Sequence, residues 1–406
     1  MLTSFNFLSC RHRIFQKIGK ILIFLIIVGF SFVLFDRCLG FCLPFVYKKY
    51  GLTLFPPLSC SYYRTSEFNC VASINSLGFR DREIGKDKKK HIRVIAIGDS
   101  FTYGWGVDLQ DSWPKILEKN LQARGVSLEI LNLGKPGASP VEYAEIAEIA
   151  IPLLRPDVLI LEVLQGEDFW QLKTGYLDSP WTHDLLWKYL FPNLKKMRQA
   201  RTLWRARGKV FTAEDIREDW AKAARELQHR LNHEEQTRFQ RLNVQIKAAF
   251  MQGETNPYII VHAVINPQMY RDTFDLESPL VKKLMHILTD QLIKIREVAD
   301  RYKTRIIVCS LPSAVYVSEN DYFFAEGLGF LLDKKMMELK NMDDFTKISS
   351  LKAGLTDFFE VTDSFRSKCK KEQLYYLWDE HLNREGNKFY ADTLTPYLME
   401  ILTLHK

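Results

Sequence analysis

Gly98-Asp99-Ser100 follows directly on the apolar run Ile92-Arg93-Val94-Ile95-Ala96-Ile97 and leads into Phe101-Thr102-Tyr103-Gly104. A serine at a strand end presents its hydroxyl at the C-terminal edge of a sheet, where open α/β sheets place their ligand crevices. A serine hydroxyl is a weak nucleophile alone and needs a base, which in turn needs an orienting acid. Asp379-Glu380-His381, far downstream, supplies both. With Ser100 as nucleophile, His381 as base and Asp379 holding the imidazole, the chemistry is acyl transfer by a serine hydrolase or acyltransferase. The plainer reading makes Ser100 a helix N-cap and His381 a surface histidine. The two segments together favour catalysis. Asp99 reads as a turn-forming carboxylate, and Asp168 as the cap of the helix after its strand.

These side chains need a sheet to bring them to one rim, and the hydropathy pattern provides one. Ile92–Ile97 reads as a buried strand. Trp113–Ala123 reads as a helix started by Ser112, with Pro114 in its first turn. Leu128–Leu133 reads as a strand, Glu142–Leu154 as a helix and Val158–Leu164 as another buried strand. This alternation implies a parallel sheet covered on both faces. Residues 171–253 break it: Trp220, Ala224, Leu227, Leu231, Leu242, Ile246 and Phe250 recur at mostly helical spacing, as in a helical insertion capping the sheet edge. Asn256-Pro257 starts either a helix through Ile265 or, on its Ile and Val content, a strand. An amphipathic helix through Leu284–Val298, a strand Arg305–Leu311, a helical stretch Phe323–Leu355 and a helix after Gly386 complete the pattern.

The N-terminus has a different character. Arg11, Arg13, Lys17 and Lys20 precede the apolar run Ile21–Phe35, which Leu39–Tyr47 extends. No small-x-small cleavage site follows, so the pattern predicts an uncleaved anchor with the N-terminus inside and the rest of the chain outside. The expected organisation is a basic segment 1–20, an anchor 21–45, a tether and lead-in 46–90 and a catalytic domain 91–406. Cys60 and Cys70 flank Ser61–Asn69, so a disulfide between them is available outside the cytoplasm. The net charge of +7 leaves room for an anionic partner, and Lys195–Arg207, a run without any acid, suits anionic headgroups or an acidic polymer, or equally a solvated basic helix. His229 and His233 stand one helical turn apart but lack a third ligand. No metal or cofactor is therefore expected. Neither Gly-rich phosphate fingerprint occurs, and no basic aromatic sheet points to nucleic acid.

Four segments, in order, resemble the SGNH (GDSL-type) hydrolase family: Gly98–Gly104, Asn132–Ser139, Gly166-Glu167-Asp168-Phe169, and Asp379–Asn383 with Gly386. Asn75–Arg80 is similar to a lead-in of membrane-anchored members. The resemblance spans about residues 74 to 402 and implies a flavodoxin-like three-layer α/β/α fold with its active site at the strand C-termini. It also implies an oxyanion hole made by the backbone N–H groups of Ser100 and Gly137 and a side-chain amide. Here Glu167 stands at the usual Asn position. Three resolutions are open: Glu167 is protonated by burial and donates; it turns away and Gln165 fills the hole; or the site is weak.

The resulting expectation is a membrane-anchored esterase at the outer face of a bacterial cytoplasmic membrane. Its substrate would be an O-acyl ester, in the first place an O-acetyl ester, on a cell-envelope or exported glycan. An O-acyltransferase with the same triad and a catalytically weakened binding or assembly protein are the alternatives.

Overall fold

The computed structural model describes residues 4–84, 91–174 and 190–403, so Lys86–Lys90 of the lead-in and residues 175–189 of the insertion lie outside it. The chain divides into two compact units, Met1–Tyr50 with Pro180–Thr202, and Gly51–Ser179 with Leu203–Lys406. In the first, the helix Ser4–Leu39 opens a stretch, Lys17–Tyr47, long and apolar enough to cross a membrane, with mean hydropathy 2.7. Asp36 is buried and accepts from Leu194 N at 2.8 Å and Asn193 Nδ2 at 3.1 Å. It thereby ties the start of the helix Pro192–Arg205 to the end of the long helix.

The second unit begins with a hairpin, β1 (Cys60–Arg64) and β2 (Asn69–Ser73), within the stretch expected to be a tether and lead-in. Its register pairs Cys60 with Ser73 and Cys70 with Tyr63. Three residues of offset, about 10 Å along a strand, exceed the reach of a disulfide, and both cysteines are free. The expected bridge is absent for that reason.

The main sheet is built from β3 (Ile92–Ile97), β4 (Leu128–Asn132) and β5 (Val158–Leu164), and, after the short β6 (Val210–Phe211), β7 (Arg305–Leu311) and β8 (Phe358–Glu360). β6 instead joins the hairpin through β1. The five-stranded order is β4-β3-β5-β7-β8, with every pair parallel. In chain order this is 2-1-3-4-5, the flavodoxin-like winding, whose switch point lies beside β3. β5 is buried at every position, as a parallel strand covered on both faces must be. The helices Pro140–Leu154, Pro279–Tyr302 and Asn341–Lys352 pack in sequence with one another, and Trp113–Ala123 packs on Arg384–Thr403. The fold is therefore the α/β architecture that the pattern implied.

Boundaries differ where capping chemistry decides them. Ser139 and Glu142 form a capping box, so that helix starts at Pro140 rather than Glu142. Asn256 accepts from Tyr258 N and makes Pro257–Ile265 a helix, not a strand. The stretch read as helical over Phe323–Leu355 holds two α-helices, Glu319–Leu328 and Asn341–Lys352. Gly329, with φ +109°, ends the first in a left-handed cap. Between β5 and β7 the described part of the insertion is mainly helical, with Thr212 and Asn232 opening the helices Ala213–Arg230 and His233–Arg241.

Gly98 shows how closely the core approaches the nucleophile turn. A Cβ there would collide with Thr102 Oγ1 and fall within 2.5 Å of Glu162 Oε2, two atoms joined by a buried hydrogen bond of 2.8 Å. Gly98→Ala is therefore expected to destabilise the protein by roughly 1–3 kcal/mol, read as a lower denaturant midpoint of the detergent-solubilised chain. A wild-type midpoint would contradict this packing.

Candidate active site

β3 ends at Ile97, and the chain turns at once into the short helix Ser100–Tyr103. The Asp99 carboxylate accepts from Phe101 N at 2.8 Å and is the N-cap. Ser100 is thus freed from the capping role that the plainer reading gave it. The turn closes at Gly104, φ +79°. There the buried Arg80 guanidinium donates through Nη1 to Tyr103 O and Gly104 O, at 2.9 and 2.6 Å, and through Nη2 to Val107 O at 2.7 Å. Arg80 belongs to the lead-in segment, and it holds the far end of the nucleophile turn.

Asp379-Glu380-His381 lies on the loop before the helix Arg384–Thr403. Glu380 adopts φ +63°, a left-handed conformation uncommon for a side-chain-bearing residue. Its neighbours' side chains converge. His381 Nδ1 lies 2.5 Å from Asp379 Oδ1, and His381 Nε2 lies 2.7 Å from Ser100 Oγ. A carboxylate only accepts, so Nδ1 carries the proton and Nε2 is left to accept from the serine hydroxyl. Asp379 Oδ2 accepts from Trp105 Nε1 at 3.3 Å, which occupies its other oxygen. Burial works to lower the His381 pKa, but Asp379, followed by Glu167 and Asp99, outweighs it and holds the imidazole above its ordinary value. The structure thus brings Ser100, His381 and Asp379 together across 281 residues of chain.

Ser100 and His381 line a cavity of about 120 Å³ together with Gly137, Glu167, Trp105 and Tyr258. Gly137 has φ +70°, a conformation suited to glycine. Glu167 opens the helix Glu167–Leu172 and faces this cavity rather than turning away. Burial, then the nearby Asp99, raises its carboxyl to about 7, while His381 and a hydrogen bond with Tyr258 pull the other way.

Gln165 does not fill the hole. Its buried Nε2 donates to Ser310 Oγ at 3.0 Å, Asp343 Oδ1 at 2.7 Å and Thr362 Oγ1 at 2.9 Å. A buried amide is held where its partners are, and here they are on and beyond β7. Asp168 is corrected too: Gly166 is the N-cap, while Asp168 accepts from Tyr143 Oη at 2.9 Å and Leu164 N at 2.9 Å.

Sequence reasoning missed Trp105 and Tyr258. Trp105 directly follows the nucleophile block Gly98–Gly104, and that adjacency was the signal available, whereas Tyr258 comes from the helix Pro257–Ile265, and nothing in its local sequence points to Ser100.

No family model matches the chain, and no curated protein matches it. Among solved structures it is similar to an acetyl xylan esterase, AlAXEase, at 11% identity and TM-score 0.38 over 75% of this chain and 98% of that one. It is also similar to the psychrotrophic esterase EstA from Pseudoalteromonas sp., at 7% identity and TM-score 0.36 over 77% and 98%. TesA gives 9% identity and TM-score 0.37 over 75% and 97%.

Asp99, raised by burial to about 6, and Glu167 at about 7 bind protons more tightly folded than unfolded. Such groups cost no stability below about pH 4, where both states are protonated, and the penalty grows as pH rises to about 7. The denaturant midpoint should fall between about pH 5 and about pH 8, and Glu167→Gln should shrink that fall. An identical pH dependence in the variant would contradict the placement of Glu167.

Proposed function

We propose that this protein is a membrane-anchored serine esterase of the SGNH type that removes an O-acetyl group from a cell-envelope or exported glycan. The observation that carries the reading is the hydrogen-bonded series Ser100–His381–Asp379, at 2.7 and 2.5 Å, opening on a cavity. Ser100 Oγ attacks the ester carbonyl as His381 Nε2 takes its proton, and Asp379 stabilises the imidazolium. The tetrahedral oxyanion collapses, the sugar alkoxide leaves with the proton from His381, and the acetyl group stays on Ser100. Water, deprotonated by His381, then releases acetate and restores the serine.

The oxyanion donors in this reading are the backbone N–H groups of Ser100 and Gly137 and the protonated carboxyl of Glu167. A neutral carboxyl donates as an amide would, and burial favours that form. A cavity of about 120 Å³ lies well below the roughly 300–1,000 Å³ of drug-sized sites, which supports a short acyl group. Gln171 and Asn256 add amides to its wall beside Trp105, a mixture that suits a hydroxyl-rich alcohol. The apolar stretch Lys17–Tyr47 supports anchoring, and the basic residues Arg11, Arg13, Lys17 and Lys20 favour an N-terminus inside with the catalytic unit outside. Lys195–Arg207, which contains no acid, supports contact with anionic headgroups.

Two tests follow. The detergent-solubilised chain should release acetate from an acetylated oligosaccharide, and Ser100→Ala should abolish the release. Release that survives the substitution would refute the reading, and acetyl transfer to an added oligosaccharide in place of release would move it to an acyltransferase. The pH profile should be bell-shaped, rising as His381 loses its proton and falling as Glu167 ionises near about 7. Above that pH, Glu167→Asn restores a neutral donor and should raise turnover by up to about 10²-fold. Unchanged turnover in a folded variant would remove Glu167 from the oxyanion hole.

A further inference from the structure

Glu67 sits between β1 and β2, outside the five-stranded sheet and 312 residues before Asp379. Its carboxylate receives three successive backbone N–H groups of the segment that leads into the acid and base. Oε1 accepts from Leu377 N at 2.7 Å and Trp378 N at 3.0 Å, and Oε2 accepts from Trp378 N at 3.1 Å and Asp379 N at 3.0 Å. Consecutive N–H groups converging in this way form an anion-binding concavity, here occupied by a side chain of the same protein.

We propose that Glu67 is a positioning residue for Asp379 and His381, which makes the β1–β2 hairpin part of the active centre. Its catalytic consequence rests on the esterase reading. The hairpin is built to present this carboxylate. Thr65 Oγ1 accepts from both Glu67 N and Phe68 N at 3.1 Å, which fixes the tip. Phe68 packs on Tyr376 with ring centroids 5.1 Å apart, and Tyr376 donates its hydroxyl to Gly106 O at 3.0 Å. Tyr63 of β1 packs on Trp105, 4.8 Å between centroids, and Trp105 is the residue that donates to Asp379 Oδ2. Both the backbone and the second carboxylate oxygen of Asp379 are therefore held by way of the hairpin.

The need for such a clamp follows from Glu380. A left-handed residue between the acid and the base persists only where its surroundings over-determine it. Tyr376 N donates to His381 O and Glu380 N to Tyr376 O, at 2.8 and 2.9 Å, closing the loop on itself. Glu67 satisfies the N–H groups that this closure leaves pointing outward. An amide in its place would keep the shape but offer only one acceptor atom to donors that now use two.

The test uses the full chain in detergent. In Glu67→Gln, kcat for a small acetyl ester should fall by about 10²-fold with KM little changed. The acid limb of the profile should move to lower pH, because a displaced Asp379 no longer favours the imidazolium. The downfield proton resonance of His381 Nδ1–H should weaken or move upfield. Glu67→Asp, which keeps a carboxylate, should retain that resonance and more of the turnover. A wild-type resonance and kcat in Glu67→Gln would overturn the proposal. So would equal losses in both variants with a lowered Tm, the signature of a merely structural role. If the wild-type chain cleaves no ester yet its Nδ1–H resonance still depends on Glu67, the esterase reading fails and the positioning role stands.

Discussion

The hydrogen bond between His381 Nδ1 and Asp379 Oδ1 constrains more of this molecule than any other single contact. Two residues separated by one position do not ordinarily point their side chains at each other from an extended chain, where alternate side chains run side by side. Here the intervening Glu380 turns left-handed, and the strain of that turn has to be held from outside. Asn383 accepts from Gly386 N at 2.9 Å, and Asn387 accepts from Trp113 N at 3.0 Å, fixing the following helix against the one that starts at Trp113. That helix in turn packs on β4, the strand beside β3. The alcohol and the imidazole therefore meet because the parallel sheet places its switch point beside β3 and the last helix packs on the helix that covers β4.

The electrostatics of the site are those of a buried acid cluster. Asp99, Glu162, Glu167, Asp168 and Glu380 are all buried, and burial raises each carboxyl above its ordinary value. Ionising all of them together in a medium of low dielectric would be prohibitive, so the cluster holds protons that exposed carboxyls would have lost. Glu162 Oε2 accepts from the Thr102 hydroxyl, and both Asp168 oxygens accept from Tyr143 Oη. Glu167 differs in facing the cavity beside the serine. Burial and the nearby Asp99 raise its carboxyl to about 7, so below that pH the neutral form faces the cavity.

Much of this was legible in the chain. Apolar runs flanked by Gly, Pro and capping residues marked β3, β4, β5 and β7, since a parallel strand covered by helices on both faces is apolar along most of its length. Ser100, Asp379 and His381 were legible because a hydroxyl at a strand end and a downstream Asp-x-His together supply nucleophile, acid and base. Glu67 was not: an acid between Ser66 and Phe68 looks like any solvated turn residue, and its meaning lies in backbone N–H groups that composition does not display. Gln165 misled for the opposite reason, being an amide one residue from the right turn whose partners, Ser310, Asp343 and Thr362, lie far along the sequence. The absent Cys60–Cys70 bridge belongs to the same class, because hairpin register, not spacing, decides which residues face each other.

The most direct test of the account is the site of covalent capture by a fluorophosphonate. The intact chain should gain one phosphonyl group, peptide mapping should place it on Ser100, and His381→Ala should suppress the reaction. Capture at another residue, or capture at Ser100 that is indifferent to His381, would contradict the claim that the imidazole activates this serine.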